Sequence, residues 1–165
     1  MKTGLILAAL GAVLLGACNQ QKPEPPADVR AFMLEHVQPT AQTYWSAVYF
    51  VSDEKGSREV FPKNDAEWKN TSDAAAQLKS FGEKLKTPAY SQGKGADWQD
   101  FSQGLIDISA QAERAALEKN RDKVFEVGAN VYNVCSACHQ IYLTAAQKAA
   151  AAKVGAPGAG ENNAP

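Results

Sequence analysis

Large apolar residues recur with a period of seven along three long stretches of this chain, and this repeat constrains the fold most strongly. The stretches are residues 65–86, 97–119 and 121–151, and in each of them two rows of apolar residues lie side by side. A seven-residue period keeps one face of a helix against its neighbour when helices cross at a shallow angle. The repeat therefore predicts three long helices that pack along their lengths, and no segment of the chain predicts a strand.

A further helical segment is predicted before these three, over residues 27–51, because apolar residues such as Met33 and Val37 recur there at helical spacing. Pro39 lies inside this segment, lacks a backbone donor and collides with the preceding turn, so a kink or a restart is expected there. Residues 52–63 form the one long connection. A chain of 165 residues suits one domain. The prediction is an all-α fold, an antiparallel four-helix bundle.

The first residues are typical of a secretory signal peptide, because Lys2 precedes an apolar run over residues 5–15 and small residues follow. The run Leu15-Gly16-Ala17-Cys18 resembles the bacterial lipobox, and this resemblance implies cleavage before Cys18 and attachment of lipid to it. An ordinary signal peptide and an uncleaved membrane anchor are the alternatives. The expected location is the periplasmic face of a bacterial cell envelope. The outer membrane is favoured over the inner one, because Asn19 rather than Asp follows the cysteine.

The composition of the two ends predicts the limits of the domain. Residues 1–17 are the expected signal peptide, and residues 18–26, which are rich in proline, are the expected lipidated flexible tether. Gly, Ala, Pro and Asn dominate residues 153–165, which we expect to be disordered because they cannot bury apolar surface. Between these ends, residues 27–152 are the expected bundle domain.

One short motif carries chemistry: Cys135-Ser136-Ala137-Cys138-His139. Cys-x-x-Cys-His is the attachment pattern of c-type haem. On a helix the two cysteines and the histidine are spaced i, i+3 and i+4, so they project from one face. Both thiols can then reach the two vinyl groups of one haem, and the imidazole can reach its iron from the same side. The motif predicts one covalent haem c on the last helix, bonded to Cys135 and Cys138, with His139 as an iron ligand.

The cysteine pair is also compatible with three roles that involve no haem. A thioredoxin-like redox pair has its thiolate near a helix N-terminus, whereas this pair lies deep in a predicted helix. A zinc site needs a fourth ligand, for which His36 is the candidate. A disulfide between positions i and i+3 of one helix would constrain almost nothing. The chain has three cysteines, and lipidation of Cys18 would leave only this pair.

A helical bundle with Cys-x-x-Cys-His in its last helix resembles the class II cytochromes c, the group of cytochrome c-prime and cytochrome c-556. The resemblance covers residues 29–143 and is specific at the haem motif. It implies that Met33, in the first helix, is the second protein ligand of the iron, as in low-spin members of the family. Gly128 and Ala129 are expected to leave room for the flat macrocycle. One departure is Leu143, which stands where the family often has Arg or Lys.

The sixth iron position decides the expected function. Met33, His36 and an open position are the candidates, because the chain without its signal peptide has one methionine and only one histidine besides His139. The family resemblance favours the methionine. Histidine and methionine ligation raises the haem potential and keeps the iron six-coordinate, which suits an electron carrier. An open position would instead suit a protein that binds nitric oxide or carbon monoxide.

The remaining expectations concern catalysis and partners. No separate constellation of acid, base and nucleophile is seen in the sequence, so we do not expect an enzyme. The 17 Lys and Arg against 18 Asp and Glu give no basic field for nucleic acid. Redox partner proteins and, through the lipid, the membrane are the expected partners. A second copy of the chain, as a homodimer, and a larger membrane complex are further candidates.

Overall fold

The structure, a computed structural model, describes residues 25–154. The expected signal peptide, the lipidation site at Cys18, most of the tether and residues 155–165 of the expected tail lie outside the described residues. Within residues 25–154 the chain is mostly helical and contains one small two-stranded sheet. None of the helices in that range has an apolar stretch of the length that crossing a membrane would need.

The described residues begin with a continuous helical run made of α1 (Val29–Phe32), a π-helical turn (Met33–Val37) and α2 (Gln38–Trp45), called here the first helical run. A β-hairpin and five helices follow it: β1 (Tyr49–Asp53), β2 (Gly56–Val60), α3 (Asp65–Leu85), α4 (Pro88–Ser91), α5 (Ala96–Leu117), α6 (Arg121–Tyr142) and α7 (Ala145–Val154). The helices α3, α5 and α6 have 21 or 22 residues each, which makes each of them about 33 Å long.

The predicted helices over residues 65–86 and 97–119 are confirmed as α3 and α5, with limits that agree to within two residues. Asn64 caps the start of α3, because its Oδ1 accepts the Glu67 N–H (3.0 Å). In return the Glu67 carboxylate accepts the Lys63 N–H (2.6 Å). The first bond satisfies a backbone donor that the start of the helix leaves unpaired, and the second holds the residue before the cap.

The prediction that the chain contains no strand is wrong, since β1 and β2 pair as an antiparallel hairpin. The first helical run ends at Trp45, and the hairpin occupies most of the predicted connection over residues 52–63. Residues 49–51 are Tyr-Phe-Val, and aromatic and β-branched residues favour strands even where their spacing also fits a helix. Gly56, at φ +101°, allows the tight turn because it has no Cβ.

The prediction of one helix over residues 121–151 is also wrong, because α6 ends at Tyr142 and α7 follows as a separate helix. Leu143 is extended, at φ −88° and ψ 140°. Thr144 Oγ1 then accepts the Gln147 N–H (3.2 Å), and Gln147 Oε1 accepts the Thr144 N–H (2.9 Å). This capping box starts a new helix.

The predicted kink or restart at Pro39 takes the form of a widened turn. The first helical run continues through Pro39, and the Gln38 N–H donates to the Met33 carbonyl, five residues back. Proline has no N–H, and its ring collides with the carbonyl four residues back, which is that of Glu35. A π turn relieves the collision, because it moves the hydrogen bonding one residue further back than in an α-helix.

The helices α3 and α5 run in opposite directions. At one end of the pair, the Trp98 Nε1–H donates to the Leu85 carbonyl (2.8 Å). At the other end, Lys119, just after α5, forms an ion pair with Asp65 in the first turn of α3 (2.7 Å). The antiparallel order therefore brings the end of α3 next to the start of α5.

The helix α6 runs antiparallel to α5, because Tyr142 in its last turn contacts Asp97 in the first turn of α5. The first helical run lies antiparallel to α3, with the Phe32 ring 5.2 Å from the Phe81 ring. The core lies between these four helical segments. The largest side chains that are almost fully buried are Tyr44, Leu78, Val124, Val131, Thr71 and Ser109.

Two glycines on the long helices face a neighbouring helix at different distances. A Cβ at Gly82 of α3 would lie 2.7 Å from Ile106 Cγ1 and 3.0 Å from the Ser102 carbonyl oxygen of α5. A Cβ at Gly104 of α5 would lie 3.6 Å from Val134 Cγ1 of α6, which is an ordinary contact. Of these two glycines, only Gly82 lies where the packing requires the absence of a side chain.

We expect Gly82→Ala to lower the free energy of unfolding by about 1–3 kcal/mol, because the added methyl group overpacks the contact between α3 and α5. Gly104→Ala is the matched control. It should raise the free energy of unfolding by about 0.5–1 kcal/mol, because alanine restricts the unfolded chain and fits the helix. Urea unfolding followed by circular dichroism measures both changes. Equal stability of the two variants would contradict the close approach at Gly82.

Candidate functional site

The end of α6 carries the cysteine and histidine motif. Cys135, Cys138 and His139 lie at i, i+3 and i+4 of this α-helix and therefore project from one face. All three side chains are partly buried, and both cysteines are free thiols. The helix ends three residues after His139, so the motif lies in its C-terminal part.

Both thiols of the motif are held in their protonated form. Burial raises the pKa of Cys135 to about 11, and the neighbouring Cys138 adds to this effect. Burial also raises the pKa of Cys138 to about 11, while Asp97 raises it further and Lys94 opposes the rise. The C-terminal end of a helix carries partial negative charge and also disfavours a thiolate. Because a thioredoxin-like pair needs a lowered pKa at a helix N-terminus, the geometry does not favour a redox pair of that kind.

The imidazole of His139 is in the form that binds a metal. Burial lowers the pKa of His139 below its ordinary value, which is about 6.5. The ring is therefore neutral at pH 7 and keeps a lone pair for a metal ion. Its backbone carbonyl accepts the Leu143 N–H (3.1 Å), the last hydrogen bond of α6.

A cluster of side chains fixes the last turn of α6 against α5. The Tyr142 hydroxyl donates to Asp97 Oδ1 (2.8 Å), and the Tyr142 and Trp98 rings meet edge to face with centroids 4.9 Å apart. The Lys94 ammonium lies 5.2 Å from the Trp98 ring centroid and 5.5 Å from that of Tyr142. Since Asp97 and Lys94 both act on the pKa of Cys138, this cluster adjoins the motif.

Sequence reasoning missed Asp97 and Lys94 as residues of the site. Asp97 lies 45 positions from Tyr142 along the chain, and only the antiparallel packing of α5 and α6 brings them together. An aspartate in the first turn of a helix is also accounted for by the helix dipole alone. No local pattern therefore marks either residue as a neighbour of the motif.

Met33 and the motif lie at the same end of the molecule, where α3 and α6 end and α5 begins; we call this the motif end. The Ala27 N–H donates to the Ala89 carbonyl of α4 (2.8 Å), and the Phe32 ring lies 5.0 Å from the Tyr90 ring. These contacts place the start of the first helical run at the motif end. The Met33 side chain is partly buried and packs against the core.

His36, the other candidate ligand, lies on a different side of the first helical run. Its side chain is exposed. Its ring centroid lies 5.5 Å from that of Phe32 and 6.3 Å from that of Phe81. Because Phe81 belongs to α3, these contacts turn His36 toward α3.

Gly128 makes room for an aromatic side chain of the first helical run. The Trp45 Nε1–H donates to the Gly128 carbonyl (2.9 Å), and a Cβ at Gly128 would lie 3.3 Å from Trp45 Cδ1. Gly128 was expected either to leave room for a macrocycle or to serve helix packing, and the indole beside it supports helix packing. Ala129, which shared this expectation, is exposed.

Two cavities, of about 230 and 670 Å³, lie beside α2 and the start of α3. No residue of the motif lines either of them. Within residues 25–154, no group of three or more His, Cys, Asp or Glu side chains is arranged to bind a metal ion by itself. The donor set of α6, two thiols and one imidazole, instead fits a haem, which brings its own nitrogen ligands for the iron.

Tyr142→Phe removes the hydroxyl that donates to Asp97, and we expect it to lower the free energy of unfolding by about 0.5–1.5 kcal/mol, the net contribution of one hydrogen bond. Tyr132→Phe is the matched control on the same helix, because Tyr132 is half-exposed. Tyr132→Phe should change the free energy of unfolding by no more than about 0.5 kcal/mol. Guanidinium unfolding measures both variants. A Tyr142→Phe protein as stable as the control would show that the hydrogen bond does not hold the last turn of α6.

Comparison of the chain with models of protein families, with curated proteins and with solved structures finds no match. The resemblance to the class II cytochromes c therefore stays a prediction from the sequence. The structure adds that Met33 and the face bearing Cys135, Cys138 and His139 belong to the same end of the molecule.

Proposed function

We propose that this chain is a monohaem c-type cytochrome that carries electrons. Its fold is then an antiparallel four-helix bundle of the first helical run, α3, α5 and α6, with the haem on α6. The observation that supports the proposal best is the shared face of Cys135, Cys138 and His139 near the end of α6. The protonated thiols and the neutral imidazole are the forms that haem attachment and iron binding need.

Each group of the motif has one role in this proposal. The Cys135 and Cys138 thiols would each hold the haem through one vinyl group, with sulfur bonded to one vinyl carbon and the thiol hydrogen transferred to the other. The His139 ring nitrogen would supply a lone pair to the iron. The bound haem supplies a one-electron couple between ferrous and ferric iron. Asp97 and Tyr142 hold the turn that follows the motif.

Met33 is the sixth iron ligand in this proposal. It lies at the motif end, it is partly buried, and it packs against the core. A chain cleaved before Cys18 has no other methionine. Ligation by His139 and Met33 would raise the haem potential and would leave no open position on the iron, which would suit electron transfer.

A lipid at Cys18 would hold the motif end near the membrane. Ala27 lies beside Ala89 at the motif end, and the proposed tether over residues 18–26 spans at most about 30 Å when fully extended. The anchored protein would therefore present the haem end to the lipid surface of the bacterial cell envelope. A redox partner that is itself bound to the membrane fits this placement best.

The haem should stay with the polypeptide through denaturing electrophoresis, because thioether bonds survive unfolding. In a host that attaches haem c, Cys135→Ser and Cys138→Ser should each weaken this retention, and the double variant should abolish it. Cys18→Ser is the matched control, since it removes the cysteine outside the motif and should keep the haem. Haem staining of the gel measures retention. Loss of haem from the denatured wild-type chain would contradict the assignment as a c-type cytochrome.

Met33→Ala should convert the iron from six-coordinate low-spin to high-spin or water-bound, because it removes the proposed thioether ligand. It should also lower the potential and let carbon monoxide bind. His36→Ala is the control and should leave these properties almost unchanged. The near-infrared band of methionine-bound ferric haem, measured before and after each change, reports the ligand. A wild-type protein that is five-coordinate and binds carbon monoxide readily would instead support a gas-binding function.

A further inference from the structure

The buried residues of the first helical run change their spacing at the π-helical turn. Tyr44, Ala41 and Val37 are buried and follow one another at the steps of three and four residues that an α-helix gives to one face. The next buried residue toward the N-terminus is Phe32, five residues before Val37. The buried face therefore continues through the turn with one extra residue.

The extra residue has a local cause in Pro39. The Gln38 N–H donates to the Met33 carbonyl, five residues back. Pro39 has no N–H for the Glu35 carbonyl, and its ring collides with that carbonyl in a regular α-helix. Isolated π turns are rare and occur often at functional sites. With an ordinary residue at position 39, the turn can close as an α-helix.

The π turn decides on which flank of the first helical run Met33 lies. In a regular α-helix, Leu34 and Met33 would continue the buried face, at three and four residues before Val37. In the structure Phe32 takes that place and packs its ring against Phe81 of α3 (5.2 Å between centroids). Met33 comes one residue later, so it leaves the line of buried residues that Phe32 continues, while Leu34 is 48% exposed.

A second flank of the first helical run, which carries Trp45, faces α6. The first helical run contacts α6 through Trp45, whose Nε1–H donates to the Gly128 carbonyl (2.9 Å). The Tyr44 hydroxyl donates to the Val124 carbonyl of the same helix (3.3 Å). The extra residue turns Met33 from the buried face toward this flank, at the end of the molecule where the motif lies.

We propose that Pro39 is a positioning residue for the sixth iron ligand. By widening the turn before it, Pro39 directs Met33 toward α6 and the haem site, although Pro39 itself lies six residues away and contacts neither. This inference rests on the proposed function. It adds that the register of the first helical run decides whether the sixth position of the iron is filled or open.

The test is Pro39→Ala in the full-length haem-loaded protein, with Pro88→Ala as the control, since both prolines are exposed and Pro88 begins the short helix α4. Pro39→Ala restores an N–H and should keep the helix content. It should lose most of the near-infrared methionine band and bind carbon monoxide, as Met33→Ala does. Pro88→Ala should keep the band. Pro39→Gln restores the same N–H and should behave like Pro39→Ala.

A second measurement locates the Met33 side chain without relying on the near-infrared methionine band. In the reduced protein without carbon monoxide, magnetic resonance contacts of the Met33 methyl group should lie toward α6 in the wild type and toward Phe81 in the Pro39→Ala protein. A Pro39→Ala protein that keeps the full band and the α6 contacts would overturn the inference alone. A wild-type protein whose spin state does not respond to Met33→Ala would overturn the proposed ligand, and the inference with it.

Discussion

The indole of Trp98 joins the ends of three helices, and the position of the motif depends on this junction. Its Nε1–H donates to the Leu85 carbonyl at the end of α3 (2.8 Å), and its ring packs edge to face against Tyr142 at the end of α6 (4.9 Å between centroids). The Trp98 side chain belongs to the first turn of α5 and is almost fully buried. One rigid side chain thus fixes the last turn of α6 against both neighbours. Because the motif lies one turn earlier on the same helix, this contact also fixes the position of the motif.

Partial burial at this junction affects the thiols and the imidazole in opposite directions, and both effects suit the proposed cofactor. It raises the pKa of Cys135 and Cys138 to about 11, so neither cysteine carries the thiolate that a thioredoxin-like redox pair needs. It lowers the pKa of His139, so the ring is neutral and able to bind iron. Desolvation disfavours the charged form in each case, and one environment therefore prepares all three groups.

The long helices were predictable from the sequence because their apolar period extends over many turns, and the face shared by Cys135, Cys138 and His139 followed from their spacing alone. The hairpin was missed because its apolar residues also continue a helical pattern, so local β propensity decided the outcome. The break after Tyr142 was missed because the apolar rows run on past the capping box. The contact of Tyr142 with Asp97 depends on packing between distant segments, and no local pattern encodes it.

The central claim is the covalent haem on α6, and mass spectrometry of the mature protein tests it most directly. The full-length chain is produced in a host that attaches haem c, digested, and searched for the peptide that contains residues 135–139. The account predicts a peptide heavier by the mass of one haem, with no free thiol on Cys135 or Cys138. A peptide whose two cysteines are unmodified, or joined to each other as a disulfide, would contradict the account.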